Sequence, residues 1–84
     1  MNTVQVKYFA SVRERLGLAQ EGVPTAAATV QALRAELVAR GGAYAEVLAP
    51  GRAVRVAVNQ VMANEDTAVP AQAEVAFFPP VTGG

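Results

Sequence analysis

Polar and apolar positions alternate from Thr3 to Phe9, with Val4, Val6 and Tyr8 on one side and Thr3, Gln5, Lys7 and Phe9 on the other. A period of two marks a strand with one buried face, so a first strand is predicted here. Ser11-Val12-Arg13-Glu14 then has the form of a capping box, in which a hydroxyl takes an orphan backbone N–H and a Glu three residues later reaches back. Leu16-Gly17 supplies a stop, and the segment reads as a short helical turn. Leu18 to Val23 is weakly patterned and contains Gly22, but its length suits the return strand of a hairpin before Pro24.

The period then changes. Thr29 is placed to cap a helix running to Arg40, because Val30, Leu33 and Leu37 recur at three-and-four spacing while Gln31, Arg34, Glu36 and Arg40 lie elsewhere on the cylinder. Gly41-Gly42 reads as the helix stop. After a short apolar piece (Tyr44, Val47, Leu48) and a Pro50-Gly51 turn, Ala53 to Asn59 alternates again, with Val54, Val56 and Val58 inward and Arg55, Ala57 and Asn59 outward. Asn59-Gln60 turns the chain into Val61-Met62-Ala63, Asn64 to Gln72 reads as irregular loop, and Glu74 to Phe78 makes a last strand with Val75 and Phe77 on one face. The order strand, strand, helix, strand, strand, strand predicts an α+β roll in which one main helix covers a small mixed sheet. Residues 1–78 are expected to form one domain and residues 79–84 a tail.

Composition narrows what such a domain can do. At 84 residues the chain makes one modest core, burying roughly 60 to 65% of its unfolded surface, with no room for a deep cleft. It has no Cys and no His, which removes disulfides, thiolate chemistry, His-based general acid–base catalysis and the usual zinc ligands. Seven basic residues balance seven acidic ones, leaving no basic excess for nucleic acid or anionic lipid. The start of the chain alternates where a secretory signal would be basic and then apolar. No apolar run approaches the ~20 residues that span a bilayer. A cytoplasmic protein is expected. Glu65-Asp66 resembles a carboxylate pair, but adjacent acids in a polar loop read as solvated turn residues, and no metal is assigned.

Two features point to function. Pro79-Pro80 cannot donate ladder hydrogen bonds and favours extended backbone, so Pro79, Pro80, Val81, Thr82, Gly83 and Gly84 should project from the last strand, by roughly 20 Å if fully extended. Its end is Gly83-Gly84, the thinnest chain end available, able to thread a narrow channel and present a carboxylate to another protein's groups. The second feature is parity. If Val4, Val6, Tyr8, Val75 and Phe77 face the helix, Phe9 and Phe78 fall on the uncovered face of the sheet, where neighbouring apolar side chains favour an interface.

The string Val75-Ala76-Phe77-Phe78-Pro79-Pro80-Val81-Thr82-Gly83-Gly84 resembles the small, sulfur-carrying subunits of molybdopterin synthase, a ubiquitin-like β-grasp family. The resemblance extends to Phe9-Ala10-Ser11-Val12-Arg13-Glu14, to the helix around Val30 to Leu37 and to Val56-Ala57-Val58-Asn59-Gln60, nearly the whole chain in order. It departs at Gln72-Ala73, where the family usually has a Gly-Asp turn. The resemblance implies that a ubiquitin-activating-like adenylyltransferase uses ATP to adenylate Gly84, that a sulfur donor converts it to a thiocarboxylate, and that the tail enters the large synthase subunit. There the sulfur would build the dithiolene on a cyclic pyranopterin precursor. It further implies that Phe9, Met62 and Phe78 pack on the large subunit with Arg13 at the edge, that the chain binds no cofactor and is no enzyme on its own, and that two small and two large subunits form a heterotetramer. Thiamine or tRNA thiolation, conjugation to protein as ubiquitin is conjugated, and a non-catalytic β-grasp binding module with an inert tail are the alternatives.

Overall fold

The computed structural model describes residues 2–80. Strand β1 (Asn2–Tyr8) follows the alternation of the sequence, burying Val4, Val6 and Tyr8. It pairs antiparallel with β2 (Gln20–Thr25), two residues further along than the weak pattern at Leu18 to Val23 suggests. Pro24 lies inside β2, and β2 is an edge strand, the place in a sheet where a residue without an N–H is tolerated.

Helix α1 (Ala10–Leu16) begins one residue before the expected capping box. Phe9, in extended backbone, is the N-cap; its carbonyl accepts from the N–H groups of Val12 and Arg13 at 3.1 and 3.3 Å, and no side chain caps the helix. Ser11 is already helical, so the capping-box reading is corrected: the β1 ladder holds Phe9 through its N–H to the carbonyl of Phe77 and leaves no turn for Ser11 to close. Gly17 ends α1 at φ +80° as expected.

Helix α2 (Val30–Val38) is capped by Thr29, whose Oγ1 accepts from the N–H of Ala32 at 3.2 Å, and it stops short of the predicted Arg40. Val30, Leu33 and Leu37 are fully buried. Gly41-Gly42 does separate helices, but Gly41 caps a third helix, α3 (Gly42–Leu48), where the sequence predicts only an apolar piece. Leu48 from α3 is as deeply buried as any residue of α2. One main helix is therefore joined by two short ones.

Arg34 corrects the sequence reading most sharply. The helical spacing puts it on the polar side of α2, yet it is only 8% exposed. Its guanidinium donates to the backbone carbonyl of Leu48, the last residue of α3, to that of Ala49, which also accepts from the N–H of Arg52 at 3.1 Å, and to Glu65 Oε2 at 3.2 Å. Glu65 is thus an ion-pair partner and not simply a solvated turn residue. Replacing Arg34 by Ala would strand the Leu48 carbonyl and leave Ala49 with the Arg52 N–H alone, and a loss of about 2 kcal/mol in denaturant unfolding is expected.

The sheet closes with β3 (Arg55–Val58), β4 (Val61–Ala63) and β5 (Glu74–Phe78), in the order β2-β1-β5-β3-β4. β1 and β5 are central and parallel, and the other pairs are antiparallel. A parallel pair needs a crossover, and all three helices lie within the chain that connects β1 to β5. β3 is shorter at both ends than the alternation of Ala53 to Asn59. Asn59 and Gln60 make the hairpin turn with φ of +50° and +69°, the geometry that matches strand twist. Asn59 is locked there: its N–H donates to the carbonyl of Glu74 at 2.8 Å and its Oδ1 accepts from the N–H of Glu74 at 2.9 Å.

The turn before β5 keeps a left-handed residue without glycine. Gln72 has φ +61°, and the N–H of Ala73 donates to the carbonyl of Pro70 at 3.2 Å. Glycine adopts that conformation without a Cβ penalty, so Gln72→Gly should raise stability by about 0.5–1 kcal/mol, seen as a higher denaturation midpoint at unchanged m-value. Among the described residues no helix is long and apolar enough to cross a membrane.

Candidate functional site: an uncovered sheet face at the root of the C-terminal tail

The three helices of the described residues cover one face of the sheet, where the side chains of Val4, Val6, Tyr8, Val56, Val58, Val75 and Phe77 join one core. Strand register then fixes the composition of the other face. Met62, Ala57, Ala76, Lys7 and Gln20 are successive Cα partners across all five strands. One step further toward the end of β5, Arg55 partners Phe78. Phe9, beyond the end of β1, is anchored beside them by its N–H to the carbonyl of Phe77 at 3.1 Å.

The parity argument places Phe9 and Phe78 on this face, and there they lie in the structure. Phe9 is 46% and Met62 59% exposed, and Phe78 is half-buried. Ala76 is nearly inaccessible yet stands outside the core cluster, beside the equally short Ala57. The centre of the face is therefore low and apolar, rimmed by larger side chains. Lys7 crosses it, with Nζ 3.3 Å from Glu74 Oε1. Val61, 67% exposed on the edge strand, pairs with buried Val58 and so stands on the helix side, outside this face. Arg13 is exposed on α1, one turn beyond Phe9.

Pro79 and Pro80 follow β5 directly and are half-buried. Pro79 lies against an open groove of about 430 Å³ between α1, α3 and the approach to β3, whose walls include Arg15, Val47, Arg52 and Val54. The tail thus starts at the seam between the groove and the uncovered face. Val81, Thr82, Gly83 and Gly84, which the sequence reading marks as the tail's working end, lie outside the described residues.

A polar cluster sits at the other edge of the sheet, on the helix side. Glu21 of β2 accepts from Tyr8 at 2.8 Å, from Tyr44 at 2.7 Å and from Arg40 at 2.9 Å, while the Arg40 guanidinium lies 4.9 Å from the centroid of the Tyr44 ring. Burial opposes the charge on Glu21, but the hydrogen bonds from Arg40, Tyr44 and Tyr8 outweigh it and hold the carboxyl below its ordinary pKa. Burial first, and then the bond to Glu21, push the Tyr8 phenol well above its usual range. The alternation of β1 locates Tyr8, but nothing local signals that Glu21, Arg40 and Tyr44 converge on it.

The cluster predicts a pH dependence. A carboxyl with a folded-state pKa below its unfolded value adds stability that is complete above the unfolded value of about 4.3 and is lost as pH falls through the folded one. Melting curves taken between pH 6 and pH 3 should therefore show a smaller decline for Glu21→Gln than for the parent chain. An equal decline in both would remove Glu21 as a contributor.

Among the described residues no three acidic side chains gather to hold a metal. The described residues of the site offer an exposed, partly apolar sheet face beside Pro79 and Pro80.

Comparisons with known proteins agree with this geometry. The model of the ThiS family matches residues 6–84. The chain is 41% identical to the molybdopterin synthase sulfur carrier subunit of Escherichia coli over 96% of its own length and 99% of that protein, and 38% identical, with the same coverage, to the subunit of that name from Haemophilus influenzae. Among solved structures it is similar to SAMP1, a small archaeal modifier protein of Haloferax volcanii, with a TM-score of 0.79 at 29% identity, covering 99% of this chain and 100% of that one. The architecture is thus a ubiquitin-like β-grasp, and the chain belongs to the ThiS family.

Proposed function

We propose that the chain is a sulfur carrier, the small subunit of a molybdopterin synthase. The observation that carries this reading is the near full-length match to relatives named as that subunit, which extends to a chain ending Pro79-Pro80-Val81-Thr82-Gly83-Gly84. In this reading Gly84 bears the reacting group. A C-terminal carboxylate has a reference pKa of ~3.5, is ionised at neutral pH and is a poor electrophile. An adenylyltransferase must therefore convert the carboxylate into a mixed anhydride with AMP, using ATP and releasing pyrophosphate, before a sulfur donor can displace AMP and leave a thiocarboxylate. The thiocarboxylate sulfur then attacks a cyclic pyranopterin precursor held by the large subunit.

The chain's own residues bind and position; they supply neither nucleophile nor base, and it is no enzyme on its own. Phe9, Met62 and Phe78 seat the uncovered face on the large subunit, Arg13 meets its edge, and Pro79 and Pro80 direct Val81 and Thr82 toward the channel. Gly83 passes the narrowest point. The carrier role needs no cofactor bound to this chain.

The likeness to a small archaeal modifier protein favours a second reading, conjugation of Gly84 to an amine on another protein. One experiment separates the two. The chain is incubated with ATP, a competent adenylyltransferase and a sulfur source, treated with a thiol-alkylating reagent and fragmented in a mass spectrometer. Because there is no Cys, a single alkylation that maps to Gly84 identifies a thiocarboxylate. Absence of the label, with a control carrier labelled in parallel, overturns the sulfur-carrier reading. A branched Gly84 isopeptide on a partner protein in its place would support the modifier.

A further inference from the structure

Seven cations balance seven anions along the chain, but the pairing in space is uneven. Lys7, Arg15, Arg34 and Arg40 each have a carboxylate oxygen at 2.9 to 3.3 Å. Arg13, Arg52 and Arg55 form no ion pair among the described residues, and all three are exposed.

These three share one location. Arg55 is the register partner of Phe78 and, being out of phase with buried Val56 and Val58, stands on the uncovered face. Arg52 shares the groove wall with Pro79 on the helix side of the sheet. The N–H of Arg13 donates to the carbonyl of Phe9, whose own N–H donates to the carbonyl of Phe77. The arginines therefore surround the point where β5 ends, one on each face and one on α1. Glu14, on the groove wall, is the one acid in this region that forms no ion pair among the described residues, since Glu46 is taken by Arg15. A neutral protein thus carries a local excess of positive charge at the root of its tail.

Exposed arginines that make no internal ion pair are available to a partner, and cationic side chains beside an apolar patch suit the polar rim of a steered interface. We propose that Arg13, Arg52 and Arg55 form a cationic collar that docks on a rim of carboxylates around the channel mouth of the large synthase subunit, orienting the tail before the apolar face closes. The proposal rests on the sulfur-carrier reading for the identity of that partner and extends it by the chemistry of the partner's surface. Rim charges act mainly on encounter, so the collar governs association rate and salt sensitivity, while Phe9, Met62 and Phe78 govern residence time.

The test measures association and dissociation rates with the purified large subunit at several salt concentrations. For the parent chain, association should slow about tenfold between about 50 mM and about 500 mM salt. The R52A/R55A double variant should associate about tenfold more slowly at low salt, with dissociation changed less than about twofold, and should converge with the parent at high salt. Glu14→Gln should shift association the other way. Binding that is tight but equally fast in both chains at low salt overturns the collar and leaves the carrier reading intact. A weaker affinity that comes entirely from faster dissociation also overturns it, since the arginines would then be ordinary contacts. If the parent chain does not bind the large subunit at all, the carrier reading falls and the collar with it.

Discussion

Removing Gly83 and Gly84 should abolish thiocarboxylate formation, a loss of at least about 10³-fold, while leaving the unfolding transition of the domain where it is. Among the described residues the core runs from Val4 to Phe77, and the last element ends at Phe78. That core is assembled from residues that precede Pro79, so stability and activity should separate cleanly. The milder Gly83→Val variant tests why glycine stands there. A β-branched side chain widens the chain end by two methyl groups and stiffens its backbone, at a place proposed to pass through a narrow channel. It should keep the parent melting curve and lose activation or transfer. Unimpaired thiocarboxylation and transfer in this variant would remove the threading argument, and unchanged function in the truncated chain would leave a binding module with an inert tail.

Phe78→Asp should weaken binding to the large subunit at least 100-fold, about 3 kcal/mol, and still fold. The neighbouring residue supplies the control. Phe77 is fully buried and its ring stacks on Tyr8 with centroids 6.3 Å apart, whereas Phe78 points to the other face and is half-exposed beside Arg55. Placing a carboxylate at Phe77 puts an unpaired charge in the core and should prevent folding. At Phe78 it puts a charge at the centre of a surface proposed to lose water on docking, so the cost falls on binding. The measurements are a denaturant midpoint and a dissociation constant for each variant. A Phe78→Asp chain that fails to fold would show that the side chain supports the domain, and a folded chain that binds normally would remove Phe78 from the interface.

The contrast between these two phenylalanines is legible in the sequence alone. Parity in β1 and β5 is local, since adjacent residues of a strand face opposite ways, and the covered face follows once Val4, Val6 and Val75 are recognised as core. The Thr29 cap, the Gly17 stop and the Asn59-Gln60 turn are equally local. So is the likeness of the last ten residues to a known family, which the full-length matches bear out.

Other features have no local signal. The third helix escapes a reading of the pattern because Gly42-Ala43-Tyr44-Ala45-Glu46-Val47-Leu48 is too short to show a helical period, and it holds its shape by burying Leu48 under α2. By its spacing Arg34 is an ordinary polar-face residue. Its burial is decided by the carbonyls of Leu48 and Ala49 at the end of α3 and by Glu65, 14, 15 and 31 residues away in sequence. The capping box at Ser11 is a valid local signal that loses to the ladder between Phe9 and Phe77. The gathering of Arg13, Arg52 and Arg55 around the end of β5 exists only because a parallel pairing brings the first and last strands together.

The sequence by itself therefore determined the strand faces, the main helix and its cap, the absence of Cys and His chemistry, and the chain end proposed to carry the reacting group. Each depends on residues within a few positions of one another or on composition alone. Only the tertiary structure decided which polar side chains are buried, which cations are left without partners among the described residues, and how the uncovered face meets the root of the tail. Those outcomes depend on pairings across tens of residues, where the cost of leaving a backbone carbonyl or a charge unpaired is settled by whatever the fold brings near it.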